Sequence, residues 1–267
     1  MRFYFNEGEC LILQIAASIG RSTLNRFQIF GRSTIFLFVA FFQAFLPPLR
    51  FSRFVKEVEF IGSKSFLIVF ITALFTGMVL GIQGYYSLSQ FGAEAALGVM
   101  VALSIIRELG PVLCALMVTG RAGSAIAAEI GIMKITDQFP ALEMMAIDPI
   151  KYVISPKIIA GIISLPLLTA FFDLVGIAGG YLVGVKLLGV NEGAYIGKMV
   201  TAITFSDIYG GILKSFCFGI LITWISTFMG FTAEPTTEGV SRATTNTVVI
   251  TSLSILVLDY ILTSLLL

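Results

Sequence analysis

The residues whose chemistry stands out are charges set inside apolar runs. Arg107 and Glu108 are adjacent within the stretch 97–119, and Lys214 lies within 208–230. A charge at the middle of a bilayer costs at least a few kcal/mol, so it must face a cavity or a partner rather than lipid. Neighbouring helical residues point about 100° apart. Arg107 and Glu108 therefore cannot form a one-face pair, and each must find its own partner on another helix. Lys214 is the obvious candidate counter-charge. One reading is a structural ion pair, or an arginine reaching for the interface. The other is a polar floor of a substrate cavity suited to a head group or phosphate, with Leu109 beside it. Gly110-Pro111 follows at once and interrupts the helical hydrogen-bond ladder, which lets the helix bend.

Other chemistries find less support. Asp173 and Asp259 invite comparison with an intramembrane aspartyl protease, which needs two facing aspartates with perturbed pKa values; neither sits in a recognisable motif. The chain has no histidine, the commonest general base and metal ligand. Cys10, Cys114 and Cys217 are far apart and form no metal-binding or disulfide pattern. No phosphate-binding loop appears, because Gly197-Lys198 lacks the upstream glycine and the following hydroxyl. No catalytic residues, metal or bound cofactor are expected on this chain.

The elements that must position these charges are membrane helices. Hydrophobic residues make up 57% of the chain and charged residues 12%, with mean hydropathy +0.96. A soluble domain carries about 25% charged residues. The 17 basic and 16 acidic residues give no basic excess, which argues against nucleic acid as a partner. Five runs are long enough to span a bilayer, about 65–88, 97–119, 154–185, 208–230 and 244–267. The predicted fold class is an all-α integral membrane protein with five transmembrane helices.

Residues 1–60 differ. Leu11–Ile19 and Ile35–Leu46 are apolar but too short to span, and Pro47-Pro48 ends the second. They read as amphipathic or re-entrant helices lying at the membrane surface, with a cleavable signal peptide as the rival. The basic residues set orientation. They crowd the N-terminal segment from Arg2 to Lys64, recur at Arg121, Lys134, Lys151 and Lys157, and return at Arg242, whereas the 89–96 loop has none and the 186–207 loop only Lys186 and Lys198. A cytoplasmic N-terminus and an outward-facing C-terminus follow. Gly77, Gly81 and Gly84, with Gly176, Gly179, Gly180 and Gly184, permit close helix packing.

The stretch 120–153 is long for a membrane loop. It carries Ile132, Ile135, Phe139 and Leu142 at helical spacing, with Lys134, Asp137, Glu143, Met144 and Asp148 among them. It reads as an amphipathic docking helix for a soluble partner. A helix lying flat on the membrane remains the alternative.

Four segments are recognisable: Arg-Glu-Leu-Gly-Pro at 107–111, Gly-Arg-Ala-Gly-Ser-Ala-Ile-Ala-Ala-Glu-Ile-Gly at 120–131, Ala-Leu-Glu-Met-Met-Ala-Ile-Asp-Pro at 141–149 and Gly-Val-Ser-Arg-Ala-Thr-Thr at 239–245. In this order they resemble the MlaE family, permeases of ABC transporters that move phospholipid between the inner and outer membranes of Gram-negative bacteria and maintain outer-membrane lipid asymmetry. The resemblance covers roughly residues 50–267. It implies a homodimer in the inner membrane, partnered by a cytoplasmic ABC ATPase that holds ATP and Mg, a small STAS-domain subunit and a periplasmic hexamer of MCE domains. It makes the 120–153 helix a coupling helix seated in the ATPase. It places Arg107, Glu108 and Lys214 beside the lipid cavity, with Phe91 where the family can carry a tyrosine. A stand-alone secondary transporter of an amphipathic substrate is the rival, although it would need a coupling-ion site and usually internal repeats.

Overall fold

A backbone in hydrocarbon has no water to bond, so each run must satisfy its own N–H and C=O groups as helix. The computed structural model describes Gln28 and residues 31–43 and 51–266, and among them there is no strand. Five helices are long and apolar enough to cross a membrane.

In chain order the helices are α1 (Gly31–Gln43), α2 (Phe51–Ile61), α3 (Phe66–Ser89), α4 (Glu94–Ile135), α5 (Gln138–Met144), α6 (Ile150–Leu187), α7 (Glu192–Ala202), α8 (Phe205–Thr232) and α9 (Thr237–Leu266). The spanning helices are α3, which α2 leads into, α4, α6, α8 and α9. The stretch expected as a loop from residue 120 is helical through Ile135, because α4 continues past its apolar part. The chain then turns at Thr136 and Asp137, whose φ is 52°, before the short α5. The periodicity across 132–142 is therefore split between two helices.

α6 is the hub, packed against α3 and α8 along its length. On α3 the buried residues Val69, Ala73, Gly77, Gly81 and Gly84 form one stripe. A Cβ at Gly77 would land on the Gly176 carbonyl, and one at Gly81 would lie 3.2 Å from the Gly180 carbonyl. The two backbones meet with no side chain between them, the close approach that small residues give membrane helices.

The short N-terminal helices are tied down by polar contacts. Phe36 and Ala40, one turn apart on α1, are buried, and the Phe36 ring packs 5.7 Å from Phe228 and 5.4 Å from Phe231. Trp224 Nε1 donates to the Ser33 carbonyl at 2.8 Å, and Ser155 Oγ to that of Ala40 at 2.8 Å. At about 1.5 Å per residue, the described residues of α1 reach only part of the way across a hydrocarbon core of about 30 Å. The segment 11–19 lies outside the described residues. α2 is held by a buried lysine: Lys157 Nζ of α6 donates to both carboxylate oxygens of Glu57 at 2.9 Å and to Glu129 of α4 at 2.8 Å. Arg53 reinforces the joint, donating to the Tyr152 carbonyl at 2.8 Å with its guanidinium over that ring.

The glycine seam yields a direct prediction. Gly77→Val forces α3 and α6 apart and destabilises the fold by about 1–3 kcal/mol, the usual cost of overpacking. Gly197→Ala, where a Cβ meets nothing within 4 Å, leaves stability unchanged or slightly raised. Thermal unfolding of both variants in the same mild detergent checks this.

Candidate functional site: an ion cluster inside the helix bundle

The site begins with a defect in α4. Gly110-Pro111 does not break the helix; the chain widens instead into a π-helical turn over Ile105–Leu109, and the Gly110 N–H bonds back to the Ile105 carbonyl. Such single wide turns recur at functional sites. Pro111 has no N–H for the Arg107 carbonyl four residues earlier, and Lys214 Nζ supplies the donor at 3.0 Å. The sequence defect on one helix and the buried cation on another thus complete each other.

α8 presents Asp207, Gly211 and Lys214 on one face, at spacings of four and three. A Cβ at Gly211 would land on the Ile106 carbonyl, so this glycine lets α8 touch the π-turn. The two flanking charges then reach the two charges of α4. Arg107 Nε and Nη2 both approach Asp207 Oδ1, at 2.7 and 2.6 Å. Asp207 Oδ2 accepts from the Thr204 N–H at 2.9 Å and its hydroxyl at 2.8 Å, closing a capping box at the start of α8.

Lys214, its side chain 3% exposed, donates to Glu108 Oε2 at 2.7 Å and to Thr263 Oγ1 at 2.7 Å. Asp259 Oδ1 of α9 lies 3.3 Å from the same ammonium. The Thr263 hydroxyl, one turn beyond Asp259, donates to the Glu108 carboxylate at 3.2 Å. Two cations and three carboxylates from α4, α8 and α9 thereby form one cluster. It is not sealed: the Arg107 side chain is 43% exposed and that of Glu108 39%. An anionic group could reach the guanidinium, and a cationic one the Glu108 carboxylate.

The structure brings Arg107, Glu108 and Lys214 together. Leu109 shares their turn and is partly buried. Phe91 sits in the turn beyond α3, 83% exposed, and not on the helices that assemble the charges. Sequence reasoning missed Asp207 and Thr263 and weighed Asp259 only as half of a protease pair. Asp207 carried a legible signal, since Thr204-x-x-Asp207 before an apolar run is a capping pattern. The protease pairing does not form: Asp259 faces Lys214, whereas Asp173 lies against Gly110 of α4.

The residues expected on the docking element separate into two groups. Lys134 Nζ donates to the Phe231 and Ala233 carbonyls at 3.0 and 2.8 Å, closing the end of α8. Phe139 is buried with its ring 5.5 Å from Phe231, and Leu142 packs on the core. Asp148 accepts from Gln43 Nε2 of α1 at 2.7 Å and from the Ile150 N–H at 2.9 Å. Asp137, Glu143 and Met144 are exposed, Met144 at 84%. The first group fastens the element, and the second leaves a surface with negative charge and an adaptable thioether.

Lys214→Met strands two carboxylates and a backbone carbonyl around an apolar side chain. It destabilises the fold by about 3 kcal/mol, the low end for breaking a buried pair because Glu108 is only partly buried. Combining it with Glu108→Gln and Asp259→Asn removes the uncompensated charge and recovers most of that loss. Thermal melts of the single and triple variants check both.

Comparison with known proteins agrees with this architecture. The family model described as "Permease MlaE" matches residues 54–265. The chain is 46% identical over 257 residues to the intermembrane phospholipid transport system permease protein MlaE of Haemophilus influenzae, covering 95% of this chain and 98% of that one. It is 42% identical over 255 residues to a probable ABC transporter permease protein of Rickettsia bellii, covering 96% and 98%. It is 34% identical over 210 residues to the chloroplastic protein TRIGALACTOSYLDIACYLGLYCEROL 1 of Arabidopsis thaliana, covering 79% of this chain and 60% of the relative. A five-span helical bundle matched by one family model over nearly all of its described length is a member of that family: the chain belongs to the MlaE permeases.

Proposed function

We propose that this chain is the membrane permease of an ABC transporter that moves phospholipids between the inner and outer membranes of a Gram-negative bacterium, maintaining outer-membrane lipid asymmetry. The observation that carries the reading is the open ion cluster inside the bundle, where Arg107 and Glu108 present charge of both signs on a turn otherwise paired away. A phospholipid head group offers a phosphate to the guanidinium and, where it is zwitterionic, an amine to the carboxylate. The name of the Haemophilus influenzae relative supports the substrate class. Arg107, Glu108, Lys214 and Leu109 line the lipid path, with Phe91 near its outer end as an aromatic surface.

Energy comes from another chain. No phosphate-binding loop is present in the sequence, so ATP and Mg belong to a cytoplasmic ABC ATPase. Its docking face is the exposed Asp137, Glu143 and Met144, with Lys134, Phe139, Leu142 and Asp148 holding that face in place. ATPase closure pushes α5, shifts α4 against α8 and alters the pairing of Arg107 and Glu108. In this reading the protein sits in the inner membrane with its N-terminus cytoplasmic and its C-terminus periplasmic. It works as a homodimer with a STAS-domain subunit and a periplasmic MCE-domain hexamer.

Two measurements test this. Glu108→Ala combined with Arg107→Ala lowers the phospholipid that co-purifies with the complex at least tenfold, equivalent to about 1.4 kcal/mol, and weakens the outer-membrane barrier to detergent. Unchanged lipid and barrier would remove the cavity assignment. Glu143→Ala with Met144→Ala reduces ATPase recovery in a pull-down of the tagged chain while its melting temperature holds. Ion-driven lipid transport by the chain alone would favour a secondary transporter instead.

A further inference from the structure

Arg107, Glu108, Lys214 and Asp259 pair with one another or with Asp207; Asp173 on α6 stands outside that network. Its Oδ1 is buried and makes no hydrogen bond among the described residues. One turn earlier, the Thr169 hydroxyl is also buried and faces the Cys114 thiol. Opposite them on α4 stand Gly110 and Cys114, likewise one turn apart. A Cβ at Gly110 would land on Asp173 Oδ1 and would lie 2.9 Å from the Ile105 carbonyl oxygen. The carboxyl oxygen thus fills the notch that the missing side chain leaves, on the side of α4 where the Ile105 carbonyl also lies. From α4, the buried Cys114 is the titratable side chain that faces Asp173.

An ionised carboxylate needs N–H or O–H donors, and burying one without them is strongly unfavourable. The neutral acid reverses this, because it carries an O–H. The Ile105 carbonyl already accepts the Gly110 N–H across the π-turn and keeps a second lone pair. We propose that Asp173 is a proton-binding site of the membrane domain, held as the neutral acid with its O–H donating to the Ile105 carbonyl. It is a positioning residue: it fastens α6 to the turn that aims Arg107 at Asp207 and Glu108 at Lys214.

Infrared spectroscopy of the purified full chain in lipid nanodiscs at neutral pH tests the proposal. The wild type shows the carbonyl-stretching band of a protonated carboxylic acid, shifted on exchange into heavy water. Asp173→Asn loses that band yet melts within about 3 °C of wild type, since the amide keeps a neutral donor of the same shape. Gly110→Ala, whose methyl intrudes on the notch, keeps the band but moves it. A wild-type spectrum without the band overturns the proposal whatever the variants do. So does a band that survives Asp173→Asn, an Asp173→Asn chain that fails to fold, or a band that Gly110→Ala leaves unmoved.

Discussion

The arrangement depends on one buried ammonium. Lys214 Nζ makes up for the N–H that Pro111 lacks by donating to the Arg107 carbonyl, and it neutralises Glu108 while Asp259 stands in ion-pair range. Charged groups are tolerated at this depth only when each is paired or bonded. That requirement is met where α4, α8 and α9 come together, with α4 widened into a π-turn over Ile105–Leu109. A cluster so arranged has few alternative pairings. In the proposed mechanism, movement of α4 against α8 exchanges one set of partners for another, as a two-state element would when pushed at one end.

Close approach is the second condition. Side-chain ion pairs bridge helices only when the backbones are near, and glycines create that nearness: Gly211 against the Ile106 carbonyl, Gly77 against Gly176, Gly110 against Asp173. Without water to drive helices together, association in a membrane rests on packing and interhelical polar contacts. The glycine seam joins α3 and α6 backbone to backbone. α4 meets α8 through polar side chains as well. The cytoplasm-side ends, by the proposed orientation, are joined by the Lys157 bridge to Glu57 and Glu129. That bridge ties α2, α4 and α6 into one joint.

Much of this was legible in the residues. Arg107-Glu108 inside an apolar run announced a buried charge, and Lys214 announced its counter-charge, because lipid leaves ionised side chains no third choice. Asp207 was legible only as a cap, since its role toward Arg107 joins residues a hundred positions apart. Asp259 was weighed only for a protease pairing that the sequence did not support, and it is α9 that turns it toward Lys214. The 132–142 periodicity announced helix but not the turn at Asp137, where a positive φ separates two helices and which residue pattern alone does not encode.

By itself, then, the sequence determined the helices, the number of long apolar runs and the presence of charges that must be paired, because hydrocarbon forces every backbone into hydrogen-bonded helix and every charge toward a partner. The tertiary structure decided which partners those are. Pairing within the bundle depends on which helix faces come within about 3 Å of one another, and that is set by the glycines and the π-turn acting together, not by any one segment alone.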